Sequence, residues 1–376
     1  MMKKLGFGMM RLPLLDGNDP TSFDEAQVFE MVDRFLQEGF VYFDTAYMYH
    51  NHSSEAMVRR ALVERHPRNT FLLATKLPTM YLKEVADMER IFKEQLQKCG
   101  VSYFDYYLLH CLNTENYATA QRLDAFGFVA EKKAAGLVRK IGFSYHDDAA
   151  LLDRILTEHP EMEFVQLQIN YLDWDSESVQ SRKCYEVARR HGKEILVMEP
   201  VKGGSLAAVP PAAELLFHRH SPERSAASWA IRFAASLEGV SMVLSGMSNL
   251  SQLEDNLSYM SEFSPLSPQE TQTVFRVRDI INSRIAIACT DCRYCVEGCP
   301  QNIPIPDYFH LYNLCQQETE DSKTAHTTDY DRLTSQYGKA SDCIGCGQCT
   351  KQCPQHLEIP ALLADVAKHF ESGASS

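Results

Sequence analysis

Eight short apolar runs punctuate residues 4–260: KLGFGM (4–9), FVYFDT (40–45), TFLLATKL (70–77), FDYYLLH (104–110), VRKIGFS (138–144), EFVQLQIN (163–170), KEILVMEP (193–200) and GVSMVLSG (239–246). Each is continuous rather than alternating, the pattern of a parallel strand covered on both faces. Amphipathic stretches separate them. FDEAQVFEMVDRFLQEG (23–39) opens at Asp24, a side chain suited to N-capping, and stops at Gly39. LKEVADMERIFKEQLQKCG (82–100) ends in Gly100 after a basic last turn. Eight strand–helix repeats predict a (β/α)8 TIM barrel. A doubly wound sheet is the runner-up, and no GxGxxG follows the first run to support it.

The pattern breaks at SPLSP (264–268). The expected organisation is a barrel over 1–265, a linker helix over 266–284 and a small cysteine-rich domain over 285–376. In the last part Pro300, Pro304, Pro306, Pro354 and Pro360 mark turns, and the polar stretch QQETEDSKTAHTTD (316–329) reads as an exposed loop.

That domain holds CTDCRYCVEGCP (289–300) and CIGCGQCTKQCP (343–354), both C-x2-C-x2-C-x3-C-P. Zinc ribbons separate two CxxC pairs by a longer span, so a compact four-cysteine run fits zinc poorly. The spacing matches the pattern in which three thiolates wrap a [4Fe–4S] cubane and the fourth, released by its proline turn, ligates the other cluster. Cys289, Cys292, Cys295 and Cys353 are then one ligand set, and Cys343, Cys346, Cys349 and Cys299 the other. The region resembles a two-cluster ferredoxin domain with a long insert between its motifs. Of the twelve cysteines, Cys99, Cys111, Cys184 and Cys315 lie outside the motifs and read as small, half-buried side chains.

Composition excludes several classes. The net charge is −13 and no basic run is present, so no nucleic-acid surface is expected. No stretch approaches the roughly 18–20 apolar residues of a membrane span. MMKKLGFGMMRLPLLDG lacks a continuous hydrophobic segment and does not read as a secretory signal, so a cytoplasmic protein with thiolate-bound metal is expected.

In a barrel of this type, residues at the C-terminal ends of strands gather around one mouth. Asp44 ends VYFD with Tyr49 five residues on, Lys76 ends LLATK, and His110 ends YYLLH. Singly, each reads most often as a packed ring or a solvated charge; together they suit carbonyl reduction. Hydride arriving at a carbonyl carbon builds negative charge on oxygen, and an acid must protonate it. A phenol, with a free pKa of about 10, needs a nearby ammonium to bring it down. Tyr49 is the expected donor, Lys76 the ammonium held by Asp44, and His110 a hydrogen-bond donor to the same oxygen.

FDTAYMY, ATKL and DYYLLH resemble the tetrad motifs of the aldo-keto reductase superfamily, and the likeness covers roughly residues 3–260. It implies a (β/α)8 barrel, NADP(H) or NAD(H), and the catalytic set Asp44, Tyr49, Lys76 and His110. LGFGMMRL resembles the family's first strand and brings in Met9 and Met10. IGFS and VQLQINY supply Ser144 and Gln168 as contacts to the nicotinamide amide, and VMEPVKGG supplies Met198, Pro200 and Gly203. GMSNLSQLEDN resembles the last cofactor loop, with Gly246, Ser248, Gln252, Asp255 and Asn256 at dinucleotide positions, joined by Asp44 from the tetrad.

The chain also departs from the family. Met198 stands where an aromatic often stacks on nicotinamide, and Tyr145 where Asn commonly follows the serine. Gly246 and Gln252 replace the Lys and Arg with which many members clamp a 2′-phosphate, leaving Lys202 as the candidate substitute and NADP versus NAD open. The leading expectation is an oxidoreductase acting on a small carbonyl or alcohol substrate with two appended clusters. Two others stand beside it: an electron-transfer enzyme served by a ferredoxin-like partner, and a nucleotide-binding redox sensor without turnover. Hydride carries an electron pair and a cluster accepts one electron, so the clusters read either as staples or as one-electron carriers.

Overall fold

The computed structural model describes residues 3–283, 286–317 and 320–372. Eight parallel strands close into a barrel in sequence order: β1 (Leu5–Gly8), β2 (Tyr42–Asp44), β3 (Leu72–Leu77), β4 (Phe104–Leu112), β5 (Val138–Tyr145), β6 (Phe164–Gln168), β7 (Glu194–Met198) and β8 (Val240–Gly246). The TIM-type barrel is therefore correct, and the doubly wound alternative falls with β1 pairing to β8.

Side chains alternate across a strand, so every second residue points into the barrel. Tyr42, Ala74, Tyr106, Leu108, Phe164, Leu196, Met242 and Leu244 pack together as its apolar floor. Continuing in the same phase toward the strand ends gives Asp44, Lys76, His110, Ser144, Gln168, Met198 and Gly246. One alternation thus fills the bottom of the barrel and lines its mouth. The opposite phase buries Phe7 and Phe43 against Phe35 of the helix Glu25–Gln37, with ring centroids 5.3–5.5 Å apart. Asp24 caps that helix by accepting from Gln27 N, and Gly100 ends the helix Val85–Cys99 in the left-handed conformation.

The chain divides into two compact units, Met1–Val201 with Glu223–Gln272, and Lys202–Pro222 with Thr273–Ser376. The expected boundary at 265/266 falls inside the first unit, which runs to Gln272, and 202–222 groups with the C-terminal unit. The expected boundary at 284/285 lies outside the described residues. The helix Pro268–Asn282 carries the chain from one unit into the other.

The second unit is built from the helices Pro211–His220, Ile305–Gln317, Glu320–Thr334, Gln348–Gln352 and Ile359–Glu371. Tyr330 stacks on Phe370 at 4.6 Å, beside Tyr308, Ile303, Leu363 and Val366. The reading of 316–329 as a loop is overturned by the helix Glu320–Thr334. Its sequence has few apolar residues to betray a helical period, yet Tyr330 anchors it in this core. Among the described residues, no helix is long and apolar enough to cross a membrane.

Candidate active site and cysteine cavities

Lys76 Nζ is the hub of the mouth. It donates to Asp44 Oδ1 at 2.6 Å, to the Thr45 carbonyl at 2.7 Å and to Tyr49 Oη at 3.3 Å. Lys76 is 1% exposed and Asp44 3%, so this is a buried ion pair with a phenol on its open side. The His110 ring meets the Tyr49 ring edge-on, with centroids 6.1 Å apart. Four side chains from three strand ends and one loop therefore converge.

The backbone around them is held from behind. Gln95 Nε2 donates to the Lys76 carbonyl at 3.0 Å and to Glu55 Oε1 at 2.8 Å, while Thr75 Oγ1 donates to the same Glu55 oxygen. Tyr49 begins a short turn in which His50, Asn51 and His52 all have positive φ, 51°, 50° and 67°. Non-glycine residues rarely adopt that conformation, and three in a row need outside support. His50 supplies it: Nε2 accepts from Leu12 N at 3.2 Å, and Nδ1 donates to the Pro20 carbonyl at 2.9 Å.

Burial dominates the electrostatics. It raises the Asp44 carboxyl and lowers the Lys76 ammonium, each opposed by the other's charge. The Gln166 amide also favours the Asp44 carboxylate, an influence hidden in the sequence because Gln166 lies two residues before the end of β6. His110 is held well below the ordinary imidazole range by burial, then by Lys76 and His146, and is neutral. The Tyr49 phenol is pushed well above its usual range by burial, then by Asp44, Glu199 and Cys111. This reverses the lowering expected from Lys76. Sequence showed the ammonium but not the depth at which the phenol is enclosed.

The remaining mouth residues form two groups. Met9 is fully buried and its N–H donates to the Asp44 carbonyl at 2.8 Å; Met10 follows, half-buried. Ser144 Oγ accepts from Cys111 N at 2.7 Å, and Gln168 Nε2 donates to Asp173 Oδ2 at 3.0 Å. Met198 is half-buried at the end of β7 and Pro200 buried just beyond it. On the last loop, Ser248 N donates to Gln252 Oε1 at 2.7 Å. Asp255 accepts from Ser225 Oγ at 2.7 Å. Asn256 donates to Ser245 Oγ at 2.7 Å and accepts from Tyr259, so both ends of its amide are used within the barrel.

Three residues change standing. Gly203 lies in the second unit, where a Cβ would fall 1.9 Å from the Thr290 carbonyl oxygen. Lys202 also lies in the second unit, 2% exposed, with Nζ 3.2 Å from Gln355 Oε1. Arg11, overlooked in the sequence, lays its side chain 3.5 Å from where a Gly246 Cβ would stand. The missing side chain at 246 and the cation one loop away are complementary, a pairing only the β1–β8 closure makes visible.

In the second unit the thiols group across the two motifs. Cys289, Cys292, Cys295 and Cys353 line one cavity; Cys299, Cys343, Cys346 and Cys349 line another. Among the described residues, no three His, Cys, Asp or Glu side chains converge closely enough for a single metal ion. Four thiols in each cavity, three from one motif and the fourth from the other, suit a pair of [4Fe–4S] clusters. Cys315 is buried in the same core and lines neither cavity. Among the described residues, no cysteine is joined to another by a disulfide.

A TIM-type barrel with a buried Lys–Asp pair beside a phenol and an imidazole, joined to two four-thiol cavities, defines an oxidoreductase. Residues 4–279 match the model of the aldo/keto reductase family, and residues 288–357 match that of a 4Fe-4S dicluster domain. The chain belongs to the aldo/keto reductase family and carries a 4Fe-4S dicluster domain after the barrel. Among solved structures it is similar to the holo form of an aldo-keto reductase from Bacillus halodurans, at 24% identity and a TM-score of 0.58, covering 73% of this chain and 91% of that one. It is similar at 23% identity to a protein described as a putative 2,5-diketo-D-gluconic acid reductase B, covering 74% and 92% with a TM-score of 0.58. An aldo/keto reductase from Klebsiella pneumoniae in complex with NADP and acetate shares 16% identity, 74% and 96% coverage and a TM-score of 0.57.

Proposed function

We propose that the barrel reduces an aldehyde or ketone to an alcohol, or the reverse, with Tyr49 exchanging the proton at the carbonyl oxygen. The observation that carries this reading is the single ammonium of Lys76 reaching both Asp44 Oδ1 and Tyr49 Oη. Burial raises the phenol pKa further, so the resting site holds the proton that a carbonyl oxygen would take. Lys76 becomes more effective as negative charge develops on the phenol oxygen, and Asp44 fixes where that ammonium stands. Neutral His110 orients the carbonyl without competing for the proton.

A nicotinamide dinucleotide, NADP or NAD, supplies the hydride when bound. The donor set fits it: Ser144 and Gln168 offer polar groups for the amide, and the loop from Gly246 to Asn256 frames the far end, with Arg11 as its cation. Met9, Met10, Met198 and Pro200 give the apolar wall. The Klebsiella relative crystallised with NADP supports this assignment. In the second unit, the two crossed cysteine sets would hold two [4Fe–4S] clusters, and a one-electron partner of ferredoxin type is the natural correspondent for them. A reducing, cytoplasmic setting suits twelve cysteines without a disulfide among the described residues.

Tyr49→Phe tests the reading. Carbonyl reduction should fall on the order of 10²- to 10⁴-fold, the usual contribution of a general acid. Dinucleotide binding, followed by fluorescence titration, should stay within a factor of a few. Unchanged turnover in that variant would remove Tyr49 as the proton donor.

A further inference from the structure

The two cysteine cavities differ in charge. The cavity of Cys299, Cys343, Cys346 and Cys349 has no ionisable side chain in its lining other than the thiols. The cavity of Cys289, Cys292, Cys295 and Cys353 has Arg293 and Gln355. Arg293 is offset by two carboxylates, with Asp307 bidentate at 2.8 and 3.1 Å and Asp291 at 3.0 Å. Behind Gln355 stands Lys202, buried, with Nζ 3.2 Å from the amide oxygen.

The chain works to put Lys202 there. Its own φ is +47°, left-handed for a residue with a side chain, and Gly203 and Gly204 follow at +66° and +105°. Only glycine fits at 203, against the carbonyl oxygen of Thr290 between two cluster cysteines. A strained, glycine-assisted turn thus places the buried Lys202 side chain against Gln355, which lines one cavity and not the other. By sequence the turn leaves β7 directly after Met198 and Pro200, so the barrel's own chain supplies it.

We propose that Lys202 is a redox-positioning residue that raises the midpoint potential of the cluster held by Cys289, Cys292, Cys295 and Cys353 above that of its partner. The inference rests on the cysteine assignment given above. Adding one electron to a [4Fe–4S] cluster increases its negative charge by one, with no bond made or broken. A fixed positive charge nearby therefore stabilises the reduced form, and it does so more strongly in a buried site than in water. An electron entering the pair would come to rest on this cluster.

The test uses anaerobically purified full-length holoprotein, with dithionite as the electron donor and both midpoint potentials followed by EPR-monitored titration. Iron is counted first; about eight per chain in the wild type establishes both clusters, and a wild type without iron would sink the cysteine assignment instead. Lys202→Gln should lower one potential by a tenfold change in its reduction equilibrium, about 59 mV for one electron, while the other stays within twofold. Lys202→Arg should leave both near wild type. Gln355→Glu keeps Lys202 in place and opposes its charge, so it should lower the same potential even if Lys202→Gln loads iron poorly. Two unmoved potentials in Gln355→Glu, or equal shifts of both clusters in either variant, would overturn the proposal.

Discussion

The barrel mouth and the cysteine cavities solve the same problem in opposite ways. Each buries groups that are costly away from water. At the mouth the protein supplies the partner, with Asp44 and Lys76 2.6 Å apart and the Thr45 carbonyl taking another ammonium proton. In the cavities burial raises the thiols, Cys289 to about 11, and pushes Cys295, Cys349 and Cys353 the same way. Those groups become thiolates when a metal takes the charge. One site is complete as polypeptide; the other is completed by its cofactor.

The sharpest way to break this contrast is to remove iron. In the second unit, Cys295, Cys315 and Cys349 belong to the core, and four more ligand cysteines pack against it. Chelation, or the pair Cys292→Ser and Cys346→Ser, should expose 286–372 to limited proteolysis while the fragment containing the barrel persists. Equal resistance with and without iron would show that the helices around Tyr330 and Phe370 hold that unit alone.

Next in size is the mouth. Lys76→Met leaves Asp44 buried without its cation, and breaking such a pair from one side typically costs about 3–5 kcal/mol. The double variant Asp44→Leu with Lys76→Met should be less destabilised than Lys76→Met, as urea unfolding of the barrel would reveal. A double variant that is the worse of the two would mean the pair itself stabilises the fold.

The mouth was legible because it obeys the strand phase that lays the floor of the barrel. Asp44 continues Tyr42, Lys76 continues Ala74 and His110 continues Leu108, so apolar runs ending in a polar residue announced it. What sequence could not convey was distance. Tyr49 sits beside the expected ammonium, but its burial, and after that the charge of Asp44, pushes its pKa up instead. Arg11 became relevant only when β1 paired with β8, bringing Gly8 beside Gly246. In sequence Lys202 reads as a phosphate cation because its neighbours before it belong to the barrel, whereas in space its amine meets Gln355.

A smaller effect separates the units by pH. His110 has a folded pKa well below its ordinary 6.5, so the fold favours the neutral ring. The stability this contributes is present above about pH 6.5 and is lost as pH falls toward the folded value, at up to about 1.4 kcal/mol per pH unit. His110→Gln should flatten the acid limb of barrel stability by that amount. An identical slope in both proteins would place the titration at other histidines.

The smallest expected effect is on the cofactor. Arg11 is half-buried beside Gly246, and a phosphate contact there faces water on one side. Such partly exposed charge pairs contribute up to about 1 kcal/mol, roughly a fivefold change in affinity. Arg11→Gln should weaken NADPH binding by about that factor and leave NADH nearly unchanged if the guanidinium meets the 2′-phosphate. Equal weakening of both would move its contact to the pyrophosphate, which the two dinucleotides share. The salt dependence of the difference is the control: it should shrink as ionic strength rises, because Arg11, unlike the enclosed Lys76, acts through solvent.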